Sequence, residues 1–233
     1  MSGDMMAERT KSLGSMLSGV VGRKVIVALT GLFMALFLFA HLAGNSTIWG
    51  GPELINSYGE HIHSLGSLLW VLRGIMFFIL SAHVFLGITL TLENRRAGHG
   101  KYAVTRRQKT TFSGRTMIWT GLLLFLFLVY HLLHFTLRLT PGVLIVPDGL
   151  GRMDIYAMIV AGFMDKAVST VYIAAMITLF LHAGHGLWSL FQTFGVANDK
   201  TLPRFGILAR LLSAVLLTGF GLIPLLVASN FLN

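Results

Sequence analysis

Five long stretches of this chain carry almost no charge, at about residues 25–44, 68–92, 117–139, 167–191 and 205–231. Each is close to the roughly 20 residues a helix needs to cross a hydrocarbon core of about 30 Å. With 55% hydrophobic and only 12% charged residues, the chain reads as an all-α integral membrane protein, not a soluble domain. The expected architecture is one membrane domain over 1–233 with five transmembrane helices and no internal repeat. The first stretch is too long for a cleavable signal and no small-residue cleavage pattern follows it, so it counts as structure.

There is no cysteine, which removes disulfides, thiolate-held iron–sulfur clusters and covalently attached haem. Any redox centre must rest on histidine or methionine.

The net charge of +9 is unevenly placed. Arg9, Lys11, Arg23 and Lys24 precede the first stretch. Arg95, Arg96, Lys101, Arg106, Arg107, Lys109 and Arg115 fill the second connection, and Lys200, Arg204 and Arg210 surround the fourth. The first connection, 45–67, has no Lys or Arg. In the third, Asp148, Asp154 and Asp165 offset Arg138, Arg152 and Lys166. Positive residues gather on the cytoplasmic side of a membrane. The N-terminus is therefore expected inside, with residues 1–22 a cytoplasmic segment on the inner surface, and the charge needs no nucleic acid to explain it. Trp49 and Trp70 fall at the outer interface and Trp119 and Trp188 at the inner one, as an aromatic belt requires. The outer connections, 45–67 and 140–166, have room for short interfacial helices. The basic connection 93–115 is a solvated inner loop or a docking face for a partner.

All nine acidic residues lie outside the stretches or at their ends. Ion-coupled transporters ordinarily place carboxylates in mid-membrane, so a haem-free transporter is disfavoured.

Histidines do enter the apolar stretches. At 1.5 Å per residue, His41 and His131 lie about 25 and 22 Å from the inner ends of their helices, and His83 and His182 about 13–15 Å. A single intramembrane histidine ordinarily bonds a neighbouring helix. Four of them at two matched depths, on different helices, form the arrangement needed to ligate two stacked haem irons from both sides. Spans 1–4 would then make a haem-binding four-helix bundle. His134 and His185 each lie three residues from one of the four, on nearly the same face. By depth alone, either member of His131/His134 or His182/His185 qualifies as a ligand, the other being left for a haem propionate or a quinone. Arg73, well inside span two, and Arg115, at the inner mouth of span three, are candidate propionate partners. Snorkelling is the plainer account of Arg73. Glu60, His61 and His63 cluster in the first outer connection and are candidates for a quinone site, or are simply solvated loop residues. His99 is read as a loop residue.

Several motifs sharpen this. They are Gly22-Arg23-Lys24 with Leu29-Thr30-Gly31-Leu32-Phe33 and His41-Leu42-Ala43-Gly44-Asn45; Asn56-Ser57-Tyr58; Ser113-Gly114-Arg115-Thr116-Met117 leading to Tyr130-His131; and His182-Ala183-Gly184-His185-Gly186-Leu187-Trp188-Ser189 continuing through Phe191-Gln192-Thr193-Phe194-Gly195. Together they resemble the cytochrome b membrane anchor of succinate:quinone oxidoreductases and quinol:fumarate reductases, in the five-helix, two-haem form. The resemblance implies His41 and His131 as ligands of a distal haem b, and His83 and His182 as ligands of a proximal one. It prefers His131 over His134 and His182 over His185. It also implies a flavoprotein subunit and an iron–sulfur subunit on the cytoplasmic face, a membrane quinone (menaquinone among many two-haem members) as redox partner, and a bacterial cytoplasmic membrane as the setting. Certain two-haem fumarate reductases carry a glutamate two residues before the span-four ligand; here that residue is Phe180. Glu60 is the candidate for the glutamate that some members use near the quinone.

The expected function is electron transfer between an iron–sulfur partner and membrane quinone, with the dicarboxylate site in another subunit, since no dinucleotide-binding glycine pattern is present. A di-haem anchor of a formate dehydrogenase or hydrogenase is the alternative.

Overall fold

The computed structural model describes residues 19–97, 112–143 and 146–232. In chain order its helices are α1 (Val20–Asn45), α2 (Pro52–Ser64), α3 (Ser67–Ala97), α4 (Phe112–His131), α5 (Ile155–Met164), α6 (Lys166–Thr193) and α7 (Leu202–Ala228). Five of them, α1, α3, α4, α6 and α7, are long and apolar enough to cross a membrane. They coincide with the five apolar stretches and overrun most of their ends by a few residues. Residues 1–18, His99 and the cations Lys101, Arg106, Arg107 and Lys109 lie outside the described residues.

Local chemistry sets the helix ends. Gly51, at φ 87°, takes a conformation open to glycine, and Pro52 supplies the fixed φ of a first helical residue, so α2 starts there. Asp154 caps α5 by accepting from the Ala157 N–H at 2.9 Å. Asp165 caps α6 by accepting from Ala167 N–H at 2.8 Å and Val168 N–H at 3.4 Å. The connections 45–67 and 140–166 therefore each hold a short helix. After His131 the chain widens into a π turn, Leu132–Thr136. Such turns often mark functional positions, and this one buries His134 to 1% exposure.

Helices α1, α3, α4 and α6 pack as a four-helix bundle. The neighbours are α1 with α3, α4 with α6, and α1 with α6; α3 and α4 touch more sparingly. Helix α7 lies along α6 in the most extensive helix contact of the molecule. Small residues permit these approaches: a Cβ on Gly184 would stand 3.1 Å from Ser213 Oγ, and one on Gly219 would overlap Leu42. Without a hydrophobic drive between helices in lipid, close packing at small residues is what holds them.

Two apolar clusters result. One joins Leu42, Ala175, Met176, Leu179 and Leu216 across α1, α6 and α7. The other seals the end opposite Arg23, Arg95 and Arg115, where Ile48, Ile55, Ile159 and Phe163 meet Tyr172, Ile223 and Val227. At the basic end, Arg23 of α1 pairs with Glu93 of α3 at 2.6 Å. The outward faces carry exposed Phe77, Phe78, Phe85 and Leu126. A lipid-facing helix requires such a surface, and a soluble one avoids it. The architecture is that of an all-α, multi-pass membrane protein, consistent with membrane cytochromes in general.

Candidate functional site

The bundle brings the four span histidines together in two pairs, each across a diagonal. His41 of α1 faces His131 of α4 with ring centres 6.1 Å apart and planes at 82°. His83 of α3 faces His182 of α6 at 6.4 Å and 66°. Each residue stands on a different helix, and adjacent helices never supply a pair.

The pairs occupy two levels. The His83 ring lies against Gly31 of α1, where an added Cβ would be 3.2 Å from His83 Cε1. His41 lies ten residues further along α1, about 15 Å of helix. Its side chain leans back toward the N-terminus of α1, which shortens the separation of the rings. On the other side, the His182 ring lies against Gly121 of α4, again 3.2 Å from an added Cβ, with His131 ten residues beyond.

The ring separations test whether a metal fits. A metal ion bonded to an imidazole nitrogen at about 2.0–2.1 Å lies about 3.1 Å from the ring centre. Two imidazoles trans on one ion thus have centres about 6.2 Å apart. Both pairs have this separation within a few tenths of an ångström. Among the described residues, no group of three or more His, Cys, Asp or Glu is placed to hold a bare metal ion. Two facing imidazoles without further protein donors suit an ion whose equatorial ligands come from a macrocycle.

Aromatic rings wall the pair nearer the loop helices α2 and α5. Phe37 stacks on His41 at 5.6 Å, Phe127 tilts over His131 at 6.0 Å, and Phe220 adds a third ring at 5.7 Å from His41. Side-chain partners orient the histidines. Tyr172, only 6% exposed, sets its hydroxyl 3.2 Å from His131 Nδ1 and 2.9 Å from His134 Nδ1. The Asn45 amide donates to the His41 carbonyl at 2.8 Å and lies 3.2 Å from His41 Nε2. Ligation through that nitrogen would exchange this contact for the metal. At the other level, Thr30 Oγ1 lies 3.1 Å from His83 Nδ1, and Thr120 Oγ1 lies 3.1 Å from His182 Nδ1.

Reasoning from depth and motif did not single out Tyr172, nor the roles of Thr30 and Thr120. For the threonines a signal was available. The segment Thr30–Leu42 recurs ninety positions later as Thr120–Leu132, with Thr, Gly, Leu, Leu, Phe, Leu, His and Leu identical at eight of thirteen places. Leucine matches are cheap in membrane spans, but the Thr-Gly pair eleven and ten residues before a histidine is not. The expectation of no internal repeat is corrected accordingly. Helices α1 and α4 share this thirteen-residue pattern, and the contact of α1 with His83 recurs in that of α4 with His182.

The remaining candidates lie apart. His134 is buried on Tyr172. His185 tilts over Trp188 at 5.7 Å. Arg73 stacks on Trp70 at 4.8 Å on the exposed face of α3, the position that snorkelling describes. Arg115 lines a cavity between α3 and α4 at the basic end, with Thr91, Asn94 and Arg95. Glu60, His61 and His63 are exposed on α2; His63 Nδ1 bonds the Gly59 carbonyl at 2.8 Å.

Glu60 borders an ion-pair cluster that clamps the loop helices. Arg152 bonds Glu53 through two nitrogens at 3.0 and 2.8 Å and Asp148 at 2.8 Å, with Glu60 at 3.9 Å. The Arg152 guanidinium holds the Glu53 carboxyl below its usual range. At Asp148, burial pushes upward, but the bonds from Arg152 and from the Leu150 and Arg152 N–H groups outweigh it and leave that carboxyl low. Glu53 and then Asp148 raise Arg152 in return. Asn56, 2% exposed, ties this cluster to α5 by donating to Asp154 at 3.1 Å and accepting from the Tyr156 N–H at 3.0 Å.

No protein-family model, curated protein or solved structure matches this chain.

Proposed function

We propose that this chain is a di-haem cytochrome b anchor of the succinate dehydrogenase and fumarate reductase type, moving electrons between an iron–sulfur partner and membrane quinone. The observation that carries the reading is the separation of the two diagonal histidine pairs, which matches two imidazoles on one metal ion at each level. His41 and His131 would hold one haem b, and His83 and His182 the other. When bound, haem iron supplies reversible one-electron exchange, and two imidazole ligands leave no coordination site for oxygen.

The chain's own residues position and insulate. Diagonal placement fixes each imidazole on a separate rigid helix, so the bundle sets the spacing of the two levels. The Phe37, Phe127 and Phe220 walls exclude water from one pair, which with ligand orientation tunes a redox potential. Arg115, in its cavity at the basic end, is the propionate partner proposed for the inner haem. Arg73, His134 and His185 are weaker candidates, since each is already engaged by an aromatic neighbour. Glu60, His61 and His63 form the proposed quinone patch, protonatable and exposed at the end of the bundle nearer His41 and His131.

The orientation proposed is N-terminus inside a bacterial cytoplasmic membrane, from the charge asymmetry. The flavoprotein and iron–sulfur subunits would dock on the basic face, and the dicarboxylate chemistry belongs to them. Co-purification from membranes tests this assignment. A partner with covalently bound flavin, and haem reduction on adding succinate or menaquinol, are expected. A molybdenum- or nickel-containing partner, with reduction by formate or hydrogen, would assign the anchor to a formate dehydrogenase or hydrogenase instead.

A further inference from the structure

Thr30 and Thr120 occupy equivalent places in the two copies of the repeat, and each hydroxyl faces a histidine on another helix. A threonine hydroxyl has one proton and two acceptor lone pairs. Thr30 Oγ1 is 2.8 Å from the Ile26 carbonyl and 3.0 Å from that of Val27. Thr120 Oγ1 is 3.2 Å from the Thr116 carbonyl and 3.1 Å from that of Met117. These carbonyls can only accept, so each hydroxyl proton is used on its own helix, as for many threonines in helix interiors. What remains toward the histidine is a lone pair.

The histidine must therefore donate. His83 Nδ1 lies 3.1 Å from Thr30 Oγ1 and His182 Nδ1 lies 3.1 Å from Thr120 Oγ1. An imidazole facing a committed hydroxyl through Nδ1 carries its proton there, which leaves Nε2 as the bare nitrogen. The adjacent Gly31 and Gly121 admit the rings at this height, since a Cβ on either would be 3.2 Å from the ring.

We propose that Thr30 and Thr120 are a duplicated pair of positioning residues: each accepts the Nδ1–H of the facing histidine and so fixes both the ring plane and the tautomer that presents Nε2 to a metal. This rests on the reading of His83 and His182 as haem ligands. The other level uses different chemistry, since His131 Nδ1 faces the phenol of Tyr172 and, among the described residues, no threonine hydroxyl bonds His41. The two levels are therefore separately addressable by mutation.

The test uses the full chain with Thr30→Val, Thr120→Val, Thr30→Ser and Thr120→Ser, each titrated potentiometrically and assayed for haem transfer to excess apomyoglobin. Valine keeps the shape and removes the acceptor; serine restores it. Loss of such an outer bond costs about 10–100-fold in metal affinity. Each valine variant is expected to lose the haem of the His83–His182 pair roughly 10–100-fold more readily and to show a raised midpoint potential there, because a less basic imidazole stabilises ferric iron less. The serine variants are expected to behave as wild type, and the haem of the His41–His131 pair, unmoved throughout, reports correct folding. Nitrogen-15 imidazole spectra of haem-free protein give a readout independent of haem. They should show His83 and His182 as the Nδ1–H tautomer in wild type and a mixture in the valine variants. Unchanged potential, retention and tautomer in the valine variants would overturn the proposal while leaving haem ligation intact. So would serine variants as impaired as the valine ones, because that result assigns the effect to packing. Wild-type protein that binds no haem would instead refute the function proposed above, and the tautomer spectra would still judge the threonines.

Discussion

Replacing Tyr172 by phenylalanine deletes one hydroxyl and little else, because the ring itself is held by edge-on contacts at 4.9 Å with both Phe127 and Phe163 that phenylalanine keeps. The hydroxyl bonds His134 at 2.9 Å and His131 at 3.2 Å. His134 is 1% exposed, so water does not replace the lost partner. A buried polar group left unsatisfied costs about 1–3 kcal/mol. Hydrogen bonds within membranes average only about 0.6 kcal/mol, with a maximum near 1.7, because the unfolded chain in lipid also finds partners. The site lies at the end of the bundle, sealed under the loop helices, which favours the upper part of the membrane range. A loss of about 1–1.7 kcal/mol is expected, measured by equilibrium unfolding in mixed micelles followed by circular dichroism. In a His134→Leu background the same substitution should cost clearly less. A change within about 0.5 kcal/mol, the scatter of inert substitutions, or an equal cost in both backgrounds, would refute the account of this hydroxyl.

Four further outcomes follow from the geometry. Gly31→Ala and Gly121→Ala each press a methyl against a histidine ring at 3.2 Å and should disturb the His83–His182 pair, seen as altered haem spectra at that level. Gly87→Ala, which meets nothing within 4 Å, should be neutral or stabilise α3 by up to about 1 kcal/mol through helix propensity. Gly44→Ala would overlap Tyr58 and should loosen α2 from α1 at a cost of about 1–3 kcal/mol, read as faster hydrogen exchange in α2. The Arg152 cluster should be acid-labile. Glu53 and Asp148 have folded values below their ordinary 4.5 and 3.8, so their contribution is complete above those values and is lost as pH falls below them. Proteolysis of the 146–154 segment should accelerate only under that acid condition, and Arg152→Leu should weaken the pH dependence, leaving the part that Asp148 draws from the main-chain N–H groups of residues 150 and 152.

Much of this molecule is legible in the sequence because its constraints are local and repeated. A run of twenty apolar residues has one use at this composition, and the five spans follow from it. The histidine levels follow from counting residues along helices of fixed rise. What escapes is whatever depends on lateral contact. Tyr172 meets His134 across 38 positions of sequence, and nothing in its own span marks it. His134, in the π turn Leu132–Thr136, is buried on Tyr172, while Arg73, also within an apolar stretch, sits exposed on Trp70. The Thr-Gly repeat is different: it is written plainly ninety positions apart, but reading spans by composition passes over it, because apolar matches swamp the three residues that matter.

The central claim is that two diagonal histidine pairs hold two haems. The most direct measurement is a dithionite-minus-oxidised visible spectrum with haem quantitation on purified wild type, His83→Ala and His131→Ala. The account predicts two b-type haems per wild-type chain and one in each variant, with the lost spectral component differing between them. Absence of haem, or haem content indifferent to both substitutions, would contradict it and return the four histidines to helix packing.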